Sequence, residues 1–200
     1  MSTPYVIARP TAAGFQGRYV HWDGYPSGVG RQIYGLFQGH FGKDFDRLQQ
    51  VLLDEHPASW SSLAGNWAKA PGFAGDPGTA EDACSVVDPG NAEDGPTCYC
   101  HGERQEQAYE VSQANAWGSG CEYVYVLHLS AEGQPLMTVY SAYEPFTECS
   151  VSGRKARGRR KMIGYFGMGN PDATWHVVAA LDLNGAPPDW EHLDKLGAGG

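Results

Sequence analysis

The chain has 200 residues, 42% of them hydrophobic and 12% aromatic, enough to bury a core without covalent staples and too many for an extended disordered chain. Its 27 glycines and 13 prolines are too many for a helical bundle. A net charge of −9 argues against binding of nucleic acid or anionic membrane by the molecule as a whole.

Taken in chain order, short strands are expected over 5–8 and 18–22. A helix follows over 28–41, because Val29, Ile33, Leu36, Phe37 and Phe41 recur on one helical face. A second helix over 44–53 turns Phe45, Leu48, Val51 and Leu52 inward and stops before Pro57. Residues 68–108 are rich in Gly, Pro, Ala and acids and keep no period, which predicts an irregular excursion. Aromatic and β-branched runs then return. Segments 122–129 and 135–142 flank Ser-Ala-Glu-Gly as a hairpin, and 161–167 and 174–183 flank Gly-Asn-Pro-Asp as a second. The expected fold is α+β: a mainly antiparallel sheet, two or three helices on one face, and a long irregular excursion. One domain covers 1–196, and the Gly-rich tail 197–200 is expected to fray.

The longest wholly apolar run, 177–181, is far short of the ~20 residues that span a bilayer. The first residues show no basic region followed by an apolar one, as a secretory signal would. A soluble, cytoplasmic protein with no membrane partner is therefore expected.

Three segments carry polar chemistry. The first is Arg18-Tyr-Val-His-Trp-Asp-Gly-Tyr-Pro-Ser-Gly-Val-Gly30, which ends a strand and opens a helix. His21 and Asp23 lie two apart, so on a strand both side chains share a face. Ser27 stands where an N-cap belongs, and Gly28 and Gly30 would let an anion reach the first helical N–H groups. His21, Asp23, Tyr25, Ser27, Gly28 and Gly30 thus form a candidate site for a small phosphate or carboxylate, with His21 as donor or general acid. The competing reading is a corner built for geometry, with Trp22 and Tyr25 as anchors. The two complete nucleotide fingerprints are absent: no G-x-x-x-x-G-K-[ST] occurs, and Ile33 stands where G-x-G-x-x-G needs its third glycine. This block, with the strand Glu122-Tyr-Val-Tyr-Val126, resembles a family of uncharacterised proteins common in actinobacteria and their phages. The resemblance implies a bacterial or phage cytoplasmic protein and implies no mechanism.

The second segment brackets the excursion with Cys84, Cys98, Cys100, His101 and Cys121. An excursion too poor in apolar residues to order itself is a place for a structural zinc, which takes four thiolate or imidazole ligands. The C-x-C-H spacing is only loosely finger-like, and two other readings stand beside it: buried thiols acting as small core residues, and disulfides. The third is Arg154-Lys-Ala-Arg-Gly-Arg-Arg-Lys161, which holds six of the 14 lysines and arginines. Arg154, Arg157, Arg159 and Arg160 would serve phosphate or minor-groove contacts to nucleic acid, or lie as a solvated loop.

Three functions follow. The preferred one is a small binding or regulatory protein contacting an anionic ligand or a protein partner. Its alternatives are a nucleic-acid-binding accessory factor working through 154–161, and a hydrolase or phosphoryl-transfer enzyme using His21 and Asp23. A non-enzyme is favoured, since neither G-x-S-x-G nor H-E-x-x-H occurs.

Overall fold

The computed structural model describes residues 3–69, 95–100, 107–143 and 175–198. Strands β1 (Tyr5–Thr11) and β2 (Gly14–Val20) open the chain. Helix α1 runs over 26–40, a regular α-helical turn Arg31–Gly35 set between the wider π-type turns Pro26–Gly30 and Leu36–His40. Helix α2 runs over 45–54, from Phe45–Gln49 into the wide turn Gln50–Asp54. The side chain of Asp44 caps it by accepting from the Arg47 N–H at 2.9 Å. Short strands β3 (Trp60–Ser62), β4 (Thr97–Cys98) and β5 (Val111–Ser112) come next. Strands β6 (Tyr123–Leu129), β7 (Pro135–Ser141) and β8 (His176–Asp182) precede the last helix, α3 (Trp190–Ala198).

The strands form one sheet in the order β4-β3-β2-β1-β6-β7-β8, with β5 also paired to β2. The α+β class holds, but the sheet is mixed: β1 runs parallel to β6 and β2 parallel to β3. The parallel seam has a cause in the sequence. Tyr5-Val-Ile-Ala8 is apolar at every position and buried at every position, the pattern of an inner strand covered on both faces. Tyr5 and Ile7 point to the helix side with Tyr123, Tyr125 and Leu127, where Ile33, Phe37, Leu48, Leu52, Trp190 and Leu193 close the main core. Val6 and Ala8 point the other way, into a second cluster with Phe15, Val111, Cys121, Val124 and Val126. Helices therefore cover one face, as the apolar stripes of 28–41 and 44–53 predict.

Boundaries differ in instructive places. The second strand is Gly14–Val20, earlier than the predicted 18–22. Gly17 hides it, because this residue sits against the β1 backbone at Ile7 and Ala8 where a Cβ would collide. The 122–129/135–142 hairpin forms as β6 and β7 in full register. Strand β8 pairs with β7, while its predicted partner 161–167 lies outside the described residues. Helix α3 was not read from the sequence. Asp189 caps it through the His192 N–H at 3.0 Å, and its Gly197, expected in a frayed tail, is buried with its carbonyl accepting from Ser141 Oγ at 2.7 Å. Among the described residues no helix is long and apolar enough to cross a membrane.

Candidate metal centre

Beyond α2 the chain turns sharply through His56-Pro57-Ala58-Ser59, closed by the Ser59 N–H donating to the His56 carbonyl at 3.0 Å. Ser59 stands at φ 81, a left-handed conformation that costs a serine roughly 1–3 kcal/mol and persists only where the surroundings impose it. Here they do. Ser59 Oγ accepts from the Tyr19 N–H at 3.2 Å and donates to the Tyr109 carbonyl at 3.0 Å. The Arg18 guanidinium spans the same turn, donating to the carbonyls of Leu53 at 2.7 Å, Pro57 at 3.2 Å and Tyr109 at 3.3 Å.

Strand β4 is laid against this turn by pairing with β3, Cys98 opposite Trp60, and the Tyr99 N–H extends the contact to the Ser59 carbonyl at 3.0 Å. Cys98 ends β4 and Cys100 follows in a bend, and their sulfurs lie within 4.8 Å of each other. Cys98 is buried and Cys100 half-buried, and both are thiols with no disulfide between them. The Ala58 N–H donates to Cys100 Sγ at 3.2 Å. His56, 1% exposed, packs against Trp60 with ring centroids 4.1 Å apart and the planes tilted by 46°. One ligating atom from each of His56, Cys98 and Cys100 lies within 4.8 Å of the other two.

The electrostatics match the geometry. The hydrogen bond from Cys98 holds the Cys100 thiol down to about 4, with smaller help from His56 and the Ala58 N–H and against the effect of burial. Cys100 is thus a thiolate at neutral pH, the form that binds metal and attacks electrophiles. Cys121 is the opposite case. Burial, then the charge of Glu122, push its thiol up, and it packs in the second cluster across the sheet from Cys98.

Of the predicted ligand set, Cys98 and Cys100 come together. Cys121 does not join them, because it belongs to the other sheet face, while Cys84 and His101 lie outside the described residues. His56, which no pattern in the sequence singles out, takes part. Its route to the cysteines is the long-range pairing of β3 with β4, which leaves no local signal in the sequence.

The corner at 21–30 is brought together differently from the expected strand-borne pair. β2 ends at Val20, and Asp23 sits at φ 64, so His21 and Asp23 share no strand face. His21 Nδ1 is 2.7 Å from the Tyr19 hydroxyl, and its ring lies edge-on to Trp22. The N–H groups that open α1 are already engaged. Ser27 donates to Asp194 Oδ1 at 2.8 Å, Gly28 to the Tyr25 carbonyl at 3.0 Å and Val29 to the Asp23 carbonyl at 3.2 Å. The glycines admit the protein's own atoms: a Cβ at Gly28 would stand 2.7 Å from the Asp23 carbonyl oxygen, and one at Gly30 3.0 Å from the Trp190 ring. Ser27 gives no side-chain cap. The Asp194 carboxylate occupies the anion position of this helix N-terminus. The basic residues Arg154, Arg157, Arg159 and Arg160 lie outside the described residues.

No family model matches the chain, and comparison with curated proteins and with solved structures finds none similar to it.

Proposed function

We propose that the protein is a small binding or regulatory protein whose competent form depends on a zinc ion held by His56, Cys98 and Cys100. The convergence of three ligating atoms within 4.8 Å carries this reading. Around a tetrahedral zinc, sulfur and nitrogen donors stand roughly 3.5–3.8 Å apart, so the three need to close by no more than about an ångström. Such a shift is within reach of side-chain torsions while the backbone stays put. Thiolate and imidazole together select zinc over the hard cations, which prefer oxygen donors.

The ion's work is a staple. Two residues of the chain at and after β4 would be fixed to the turn after α2 through the metal. Binding would displace the proton that Cys98 donates to Cys100, so affinity rises with pH. The surface that such a staple holds in shape is where a partner or anionic ligand is received.

The test is metal stoichiometry on purified, untagged protein, with cobalt as spectroscopic probe. One zinc per chain is expected, with thiolate-to-cobalt absorption that disappears in Cys98→Ser and in Cys100→Ser. Protein that takes up neither ion, and whose melting temperature neither ion raises, would overturn the reading.

A further inference from the structure

Cys98 and Cys100 differ in a way that zinc ligation alone does not require. Their sulfurs lie within 4.8 Å of each other. Cys98 is 3% exposed, whereas Cys100 is open to solvent on one side and meets the Ala58 N–H on another. An accessible thiol backed by a buried one is the arrangement of an attacking and a resolving cysteine. The loop that supports them, with Ser59 held at φ 81, fixes the approach of the pair.

We propose that Cys98 and Cys100 form a reversible dithiol–disulfide couple that a peroxide oxidises, Cys100 attacking and Cys98 resolving, and that the disulfide and the metal exclude one another. The chemistry balances in two steps. The Cys100 sulfur attacks the peroxide, the O–O bond breaks, one oxygen stays on sulfur as a sulfenic acid, and the other leaves as hydroxide or alkoxide and takes up a proton. The Cys98 sulfur then attacks Cys100, the S–S bond forms, the S–O bond breaks, and the Cys98 proton leaves with that oxygen as water. The two thiols lose two electrons, and the peroxide gains them. A bridge between residues only two apart closes a tight ring, so it is strained and readily reduced by a second thiol, which makes the couple reversible. Both sulfurs lose the negative charge that makes a thiolate a zinc ligand, so oxidation ejects the ion. The exclusion rests on the zinc reading, whereas the couple itself does not.

The experiment uses the full chain, first freed of metal with a chelator and then treated with hydrogen peroxide. Peptide mapping is expected to find a Cys98–Cys100 bridge, reversed by glutathione, with Cys121 unmodified. Cys98→Ser should instead accumulate a sulfenic acid at Cys100 that dimedone captures, and Cys100→Ser should show neither product. Should either variant fail to fold, the wild type equilibrated with defined ratios of reduced and oxidised glutathione gives the same bridge. Oxidation of Cys100 to sulfinic acid in the wild type without a bridge overturns the couple. Zinc added beforehand should slow bridge formation at least tenfold. A bridge that forms at an unchanged rate in zinc removes the exclusion and the zinc reading but leaves the couple standing. Zinc uptake with no bridge under any condition removes the couple alone.

Discussion

The backbone N–H of Ala58 points at the sulfur of Cys100, 3.2 Å away, across 42 residues of sequence. It does so because Ser59 is held in a left-handed conformation and Arg18 grips the carbonyls on either side of the turn. An oriented amide beside a thiolate is a fixed positive dipole that favours the charged sulfur over the protonated one. The scaffold itself therefore favours the thiolate at Cys100.

The thiolate preference, set first by the Cys98 hydrogen bond and aided by His56 and this amide, makes stability depend on pH. Cys100 titrates near 4 in the folded protein against 9.0 for an unperturbed thiol, so between those values the unfolded chain binds more protons and stability rises with pH. The Cys100 contribution is complete above about 9, declines as pH falls, and is gone below about 4. In metal-free protein, urea unfolding between pH 5 and 8.5 should show this positive slope, and Cys100→Ala should flatten it. Iodoacetamide should label Cys100 at pH 6 far faster than Cys121, whose buried thiol is pushed the other way.

His56→Ala should weaken zinc binding by at least tenfold and shift the cobalt spectrum, because the set loses its only imidazole. It should also lower stability by about 1–3 kcal/mol, since a buried ring packed against Trp60 is replaced by a cavity. Cobalt titration and urea unfolding of the same preparation separate the two effects. Unchanged cobalt binding would remove His56 from the ligand set.

The elements that were legible in the sequence owe their clarity to local pattern. The face formed by Val29, Ile33, Leu36 and Phe37 announces α1, and the turn Ser130-Ala-Glu-Gly133 announces the β6–β7 hairpin. The parallel seam between β1 and β6 has no such local signature beyond the unbroken apolar run at 5–8, because a long crossover leaves register to tertiary packing. The site divides the same way. Cys98 and Cys100 meet because only one residue separates them, a local fact, whereas His56 reaches them only through the pairing of Trp60 with Cys98. Cys121 looked like their partner in sequence order, yet its neighbour Tyr123 faces the helices and Val124 the opposite cluster, and Cys121 follows the latter.

The corner at 21–30 should behave as architecture. Asp194→Asn removes a charged acceptor from the start of α1 and should cost about 1 kcal/mol, as loss of a helix cap does. Gly28→Ala should cost at least ~1–3 kcal/mol, since its Cβ meets the Asp23 carbonyl, a backbone atom that cannot swing away. Inorganic phosphate at millimolar concentration should leave the melting temperature of the wild type unchanged. A saturable rise in melting temperature with phosphate, lost in His21→Ala, would restore the corner as an anion site.

Arg18 offers a test of the claim that the scaffold orients the site. Its guanidinium is bonded to the carbonyls of Leu53, Pro57 and Tyr109, all around the turn that carries His56 and Ala58. Arg18→Met keeps much of the apolar stem and removes the donors, leaving Ser59 to hold its φ of 81 with fewer restraints. Relaxation of that turn would swing the Ala58 N–H away from Cys100 and move His56 off Trp60. The variant should remain folded, bind cobalt several-fold more weakly, and require a higher pH for half-maximal iodoacetamide labelling of Cys100. Labelling that follows the wild-type pH profile in a folded Arg18→Met protein would show that the thiolate is set by Cys98 and His56 alone.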